Sequence, residues 1–196
     1  VSSHNNLSSV TKTLANRIWE GIKDDKQLSK IIKSQEQISF QSPQEIQAKS
    51  AQLSVFLYNV TELASMRNQP QPQNRGEPRT LLYLSLSYLI TPLTQNVEYD
   101  QILLGKVMQL FAETPVLRGS ILQGSLKETG DEIRIMLDEL TLDELHKLWT
   151  MSQAPYKLCV GYTVRPVRIE SVKPEQRVVE KSPQLVVKSK VSNKKA

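Results

Sequence analysis

The sequence predicts an α+β domain, a mostly antiparallel sheet flanked by helices, with an extended basic tail after it. Three observations predict this. Segment 81–93, LLYLSLSYLITPL, alternates with a period of two. Around it, candidate elements run helix, strand, strand, helix, strand, helix, strand, an order typical of α+β domains. The basic charge, finally, is gathered at one end of the chain.

Segment 81–93 organises the rest. In a strand, Leu82, Leu84, Leu86, Tyr88 and Ile90 share one face. The other face, Leu81, Tyr83, Ser85, Ser87 and Leu89, is uncharged. Edge strands are usually guarded by charge, so this strand is expected to be central. Pro92 cannot donate to a ladder and should end it.

In chain order, 10–32 reads as a helix on Val10, Leu14, Ile18 and Ile22, with Ser8 or Ser9 as N-cap. Gly21 and the Asp24–Asp25 pair predict a break near 21–26. A short strand is expected at 38–40. Segment 52–63 is a second strand whose two apolar faces predict burial on both sides. The polar stretch 69–78, QPQPQNRGEP, is a surface loop. Segment 97–112 is a helix on Leu103, Val107, Leu110 and Phe111, with Asn96 as N-cap. Residues 118–129 read as a glycine-punctuated loop, and 132–137 as a short strand. Thr141 and Glu144 have capping-box spacing and open a helix to about residue 150, with Leu142, Leu145, Leu148 and Trp149 inward. Segment 156–169 is expected to be the longest strand. Leu84, Leu86, Tyr88, Leu158, Val160 and Tyr162 should form one core.

The chain carries 25 basic and 20 acidic residues. Segment 171–196 holds seven basic and two acidic ones, so 18 of each remain in 1–170. This division separates a neutral domain, 1–170, from a basic tail, 171–196. A folded surface that reads nucleic acid normally carries a basic stripe. One cysteine, Cys159, permits no internal disulfide. No run reaches the roughly 18–20 apolar residues of a membrane span. The first residues, VSSHNNLSSV, lack the pattern of a secretory signal, and assembly in the cytoplasm is expected.

No catalytic constellation stands out. His4 and His146 are too few, with one cysteine, for a usual metal-ligand set. Cys159 has no identifiable base beside it and reads as a packed thiol. The acidic pairs, such as Asp138–Glu139 and Asp143–Glu144, fall at helix starts and strand ends, where solvated carboxylates are ordinary. Gly119, Gly124 and Gly130 do not form a phosphate loop. Neither an enzyme nor a cofactor is expected.

Read together, LYNVTELASMRN (57–68), LLYLSLSYLITPL (81–93), ILLGKVMQLFAETPVL (102–117), LTLDELHKLW (140–149) and YKLCVGYTVRPVRI (156–169) resemble the tail-terminator or cap family of extracellular contractile injection systems. The resemblance covers roughly 10–169. It implies a tail-terminator-like fold and a structural protein without a small-molecule substrate. It further implies a homo-oligomeric ring, a hexamer, that ends the inner tube of a phage-tail-like particle and anchors its last sheath ring. The tail is expected to bind a neighbour through Arg177, Val178, Val179, Lys181, Leu185, Val186, Val187, Lys188 and Lys190, pairing as an added strand with apolar beads inward. The alternative is a nucleic-acid-associated module whose tail acts as a phosphate-binding arm. The tail has no aromatic residue for base stacking, and the cap reading is preferred.

Overall fold

The structure, a computed structural model, describes residues 3–45, 50–66, 79–128 and 130–172. Six strands form one sheet in the order β1-β2-β3-β6-β5-β4. They are β1 (Ile38–Ser39), β2 (Leu53–Glu62), β3 (Arg79–Pro92), β4 (Val116–Arg118), β5 (Glu132–Asp138) and β6 (Val160–Val172). Only β1 and β2 run parallel; every other pair is antiparallel. The helices are α1 (Asn6–Ile22), α2 (Val97–Glu113) and α3 (Leu142–Met151). The α+β class and the mostly antiparallel sheet are therefore as expected.

β3 is central, paired with β2 on one side and β6 on the other. At 14 residues it is also the longest strand, one more than β6. β6 begins at Val160 rather than at 156. The β3–β6 register sets Pro92 opposite Leu158, and proline has no N–H to donate to a ladder. Tyr156 and Leu158 thus stay outside the ladder and are exposed. Pro166 lies where the β3–β6 register shifts, between Leu84–Val167 and Leu86–Val164, a break in the ladder that tolerates proline.

The face carrying Leu84, Leu86, Tyr88, Ile90, Tyr162 and Val164 packs under α1 and α2. Leu158 is absent from that core and Val160 only borders it, a departure from the expected set that follows from the late start of β6. Phe111 of α2 meets Tyr162 edge-on, with ring centres 5.0 Å apart. α1 and α2 approach closely at Gly21. A Cβ there would sit 2.4 Å from the Leu110 side chain, which would have to move, and α1 ends one residue later at Ile22, within the break expected near 21–26.

α1 starts at Asn6, earlier than expected, and Ser8 and Ser9 lie within it. Polar residues in its first turns are committed to tertiary hydrogen bonds instead of capping. The Asn6 Nδ2 donates to the Arg168 carbonyl at 2.6 Å. The Ser3 hydroxyl donates to the Glu170 carbonyl and accepts from the Glu170 N–H. Ser3 and Asn6 thereby do for the outer edge of β6, beyond the end of β5, what a neighbouring strand would do. Ser125 links Ser9 and Asn6, and the Gln123 N–H donates to Thr13. The stretch 119–128 is accordingly a pair of 3-10 turns fastened to α1, not a free loop. Before it, β4 adds a three-residue strand that was too short to read from the sequence.

Candidate assembly surfaces

The described surface offers three features beyond a packed domain. They are an open strand edge, a half-bare sheet face with its helix, and a basic cleft.

The open edge belongs to β2. β1 pairs only with Leu53 and Ser54. From Val55 to Glu62 the outer side of β2 has no strand partner among the described residues. Burial falls along the strand accordingly. Leu53–Val55 are buried, Phe56, Leu57 and Tyr58 half-buried, and the last four residues exposed. The expectation of burial on both sides holds only for the first three residues.

The half-bare face lies opposite α1 and α2. α3 and the turn before it sit over this face. The Leu140 side chain occupies the space a Cβ on Gly161 would need, at 2.9 Å. The Thr163 hydroxyl donates to the Asp138 carboxylate. Burial and the charges of Asp138 and Glu144 hold the Tyr58 phenol above its usual value, while a hydrogen bond with Ser87 opposes them. α3 itself forms as expected. Thr141 accepts from the Glu144 N–H, and Glu144 accepts from the Thr141 N–H, closing the capping box. These bonds hold the Glu144 carboxyl below its usual range.

The packing of α3 departs from expectation. Of Leu142, Leu145, Leu148 and Trp149, only Trp149 is buried, and Leu142 is 84% exposed. The helix has an apolar stripe, but too little of the chain lies beneath it. Trp149 meets Tyr156 edge-on at 5.7 Å. Burial pushes the Cys159 thiol above its usual value. A contact with Trp149, too weak to satisfy the indole N–H, partly offsets this. Such a thiol is a poor nucleophile. His146 is exposed on α3.

The cleft has a volume of about 770 Å³ and opens where β2 begins and the chain turns from β3 into α2. Lys30, Lys33 and Lys157 line it, over Ile31 and Leu93. Among the described residues no aspartate or glutamate lines it. Asn96 borders it while capping α2, its side chain accepting from the N–H groups of Glu98 and Tyr99. The sequence marked Asn96 as a cap. It could not mark the lysines, because 127 or so positions separate Lys30 from Lys157 and only the tertiary fold brings them together.

Among the described residues no group of three or more His, Cys, Asp or Glu could hold a metal ion, and no helix is long and apolar enough to cross a membrane. Arg177, Val178, Val179, Lys181, Leu185, Val186, Val187, Lys188 and Lys190 lie outside the described residues, as does the loop 69–78.

The fold is that of the tube-terminating proteins of contractile injection particles. The PVC sheath/tube terminator of an extracellular contractile injection system, in its extended state, superposes with a TM-score of 0.56 at 17% identity, over 97% of this chain and 64% of that one. The tube-terminating cap of the anti-feeding prophage superposes with a TM-score of 0.53 at 16% identity, over 97% of this chain and 62% of that one. The chain thus spans somewhat less than two thirds of either protein. No curated protein matches it. The Pvc16 N-terminal domain model matches residues 9–181, and the chain belongs to that family. This is the tail-terminator family that the sequence motifs resemble.

Proposed function

We propose that this chain is a structural terminator of a contractile injection particle. It forms a homo-oligomeric ring, a hexamer, which ends the inner tube and anchors the last sheath ring. The family match over 9–181 is the observation that carries this reading. The arrangement of the domain supports it. One sheet face carries the packed core, while a strand edge and a helix face are left for partners. The role is scaffolding, not catalysis, and assembly takes place in the cytoplasm of the producing cell. The division at about residue 170 separates the ring-forming domain from a tail that reaches a neighbour. The tail, through Arg177–Val179 and Gln184–Lys188, adds as a strand to an exposed sheet edge. The open side of β2 is the edge this chain offers for such pairing.

The test is electron microscopy of particle tubes assembled with and without the purified chain. Rings at the tube end away from the baseplate, and tubes of uniform length, are expected. Tubes that end bare in the presence of excess folded chain would overturn the reading. A chain truncated after Val172 keeps the β3–β6 pairing, which extends to Arg79–Val172. It should melt within about 2 °C of the parent, as surface changes do, yet attach poorly to the particle.

A further inference from the structure

We infer that the lysine cleft receives the corner formed by residues 137–143 of a second copy. The inference rests on the ring reading and specifies which surfaces of adjacent subunits meet.

The two surfaces are complementary in charge. Lys30 and Lys33 are exposed and Lys157 half-buried, and none of the three pairs with a described carboxylate. The corner between β5 and α3 presents Glu139 and Asp143, both exposed. Asp143 has a partner in Lys147, one turn on, but in a pair that is about 70% exposed on each side. Such a pair is weak and is readily exchanged for another.

They are complementary in apolar surface too. The corner leaves Leu137 52% and Leu142 84% exposed. Two leucines projecting beside two carboxylates are costly in water and inexpensive against a floor such as Ile31 and Leu93, ringed by ammonium groups. The lysines then provide steering and register, while the leucines provide the buried area.

The two surfaces are also separate. No residue of 137–143 lines the cleft, so the corner does not fill the cleft of its own chain. A two-fold dimer uses one patch twice. A closed ring uses two different patches, each once per copy. A basic cleft and an acidic, leucine-tipped corner on one chain are the two halves such an interface needs.

Charge reversal tests this on the full chain. One variant carries Lys30→Glu, Lys33→Glu and Lys157→Glu; the other carries Glu139→Lys and Asp143→Lys. All five side chains lie outside the core, so each variant should keep the parent's circular dichroism. In sedimentation, and in ring formation on tubes, each variant alone should associate at least about tenfold more weakly than the parent. Mixed in equal amounts, they should recover association, because every mixed contact pairs unlike charges. Leu142→Asp should weaken association alone, without moving the melting temperature. Normal self-association of either charge variant, or no recovery on mixing, overturns the inference. So does a lysine variant that still forms rings but no longer binds tubes, since the cleft would then serve the tube protein. If the parent caps tubes while the variants do so equally well, only this interface falls. If the parent associates neither free nor on tubes, the ring reading falls with it.

Discussion

On the α1–α2 face of the sheet, Leu86, Ile90 and Val164 are fully buried, and Tyr88 beside them is too. On the α3 face, one residue of the covering helix is buried, and Leu142 stands 84% exposed. Both helix layers have apolar stripes and both lie against the same strands. The difference is what lies behind them. α1 is held by the sheet on one side and by the turns of 119–128 on the other, with Ser9, Thr13 and Asn6 hydrogen-bonded outward to Ser125 and Gln123. α3 has the sheet and, at Trp149, the Tyr156 ring, with no such second layer among the described residues. The first face supplies stability. The second is left incomplete, and an exposed apolar face of this kind marks a site for a partner.

The largest expected effect contrasts the two faces directly. Leu86→Ala should cost on the order of 2–5 kcal/mol, from a fully buried site. Leu142→Ala should cost less than about 0.5 kcal/mol, as surface substitutions do. Chemical denaturation of both variants checks this. Equal midpoints would show that the two faces are packed alike.

A smaller effect sharpens the account of the dry face. The Tyr88 hydroxyl is buried and shares a 2.9 Å hydrogen bond with Thr11. Thr11→Val should cost about 1–3 kcal/mol, since it leaves a buried phenol without that partner. Burial holds the Tyr88 phenol well above its usual value of 10.0, and the Thr11 bond opposes this only in part. The sign follows. Below about pH 10 both folded and unfolded states keep the proton, and the contribution to stability is complete. As pH rises past the unfolded value, the unfolded chain ionises first and stability falls. The denaturation midpoint should therefore drop as pH rises above about 10 in the parent, and less steeply in Tyr88→Phe.

The smallest effect concerns the half-bare face. Thr141→Ala removes the cap of α3. Because α3 is lightly anchored, the loss should stay local. Amide exchange in its first turn should quicken about fivefold, the size of one cap, while the melting temperature hardly moves. The depressed Glu144 carboxyl implies a matching pH dependence. Its contribution is present above the unfolded value and is lost as pH falls through the folded one, so the protection of this turn, exchange taken relative to the intrinsic rate at the same pH, should fall in acid. A global loss of stability in Thr141→Ala would mean that α3 is tied to the core after all.

Local chemistry was legible in the sequence. The period of two in 81–93 marked the central strand because one-residue steps alternate faces whatever surrounds them. Asn96 and the Thr141–Glu144 box marked two helix starts because a cap is made within four residues of chain. The motifs 57–68 through 156–169 carried the family. Features that depend on what lies across space were not legible. The stripe Leu142, Leu145 and Leu148 has the spacing of a buried face, yet burial requires a neighbour, and the described chain leaves Leu142 exposed and Leu145 and Leu148 half-buried. Residues 156–159 have strand composition, but the β3–β6 pairing ends at Ile90–Val160, short of them. Asn6 and Ser3 look like cap or coil residues, and only the tertiary fold sets them against the open edge of β6. Lys30, Lys33 and Lys157 form one basic cleft for the same reason. Periodicity and capping are properties of neighbours along the chain. Burial, edge protection and charge convergence are properties of neighbours in space, and those the tertiary structure alone decided.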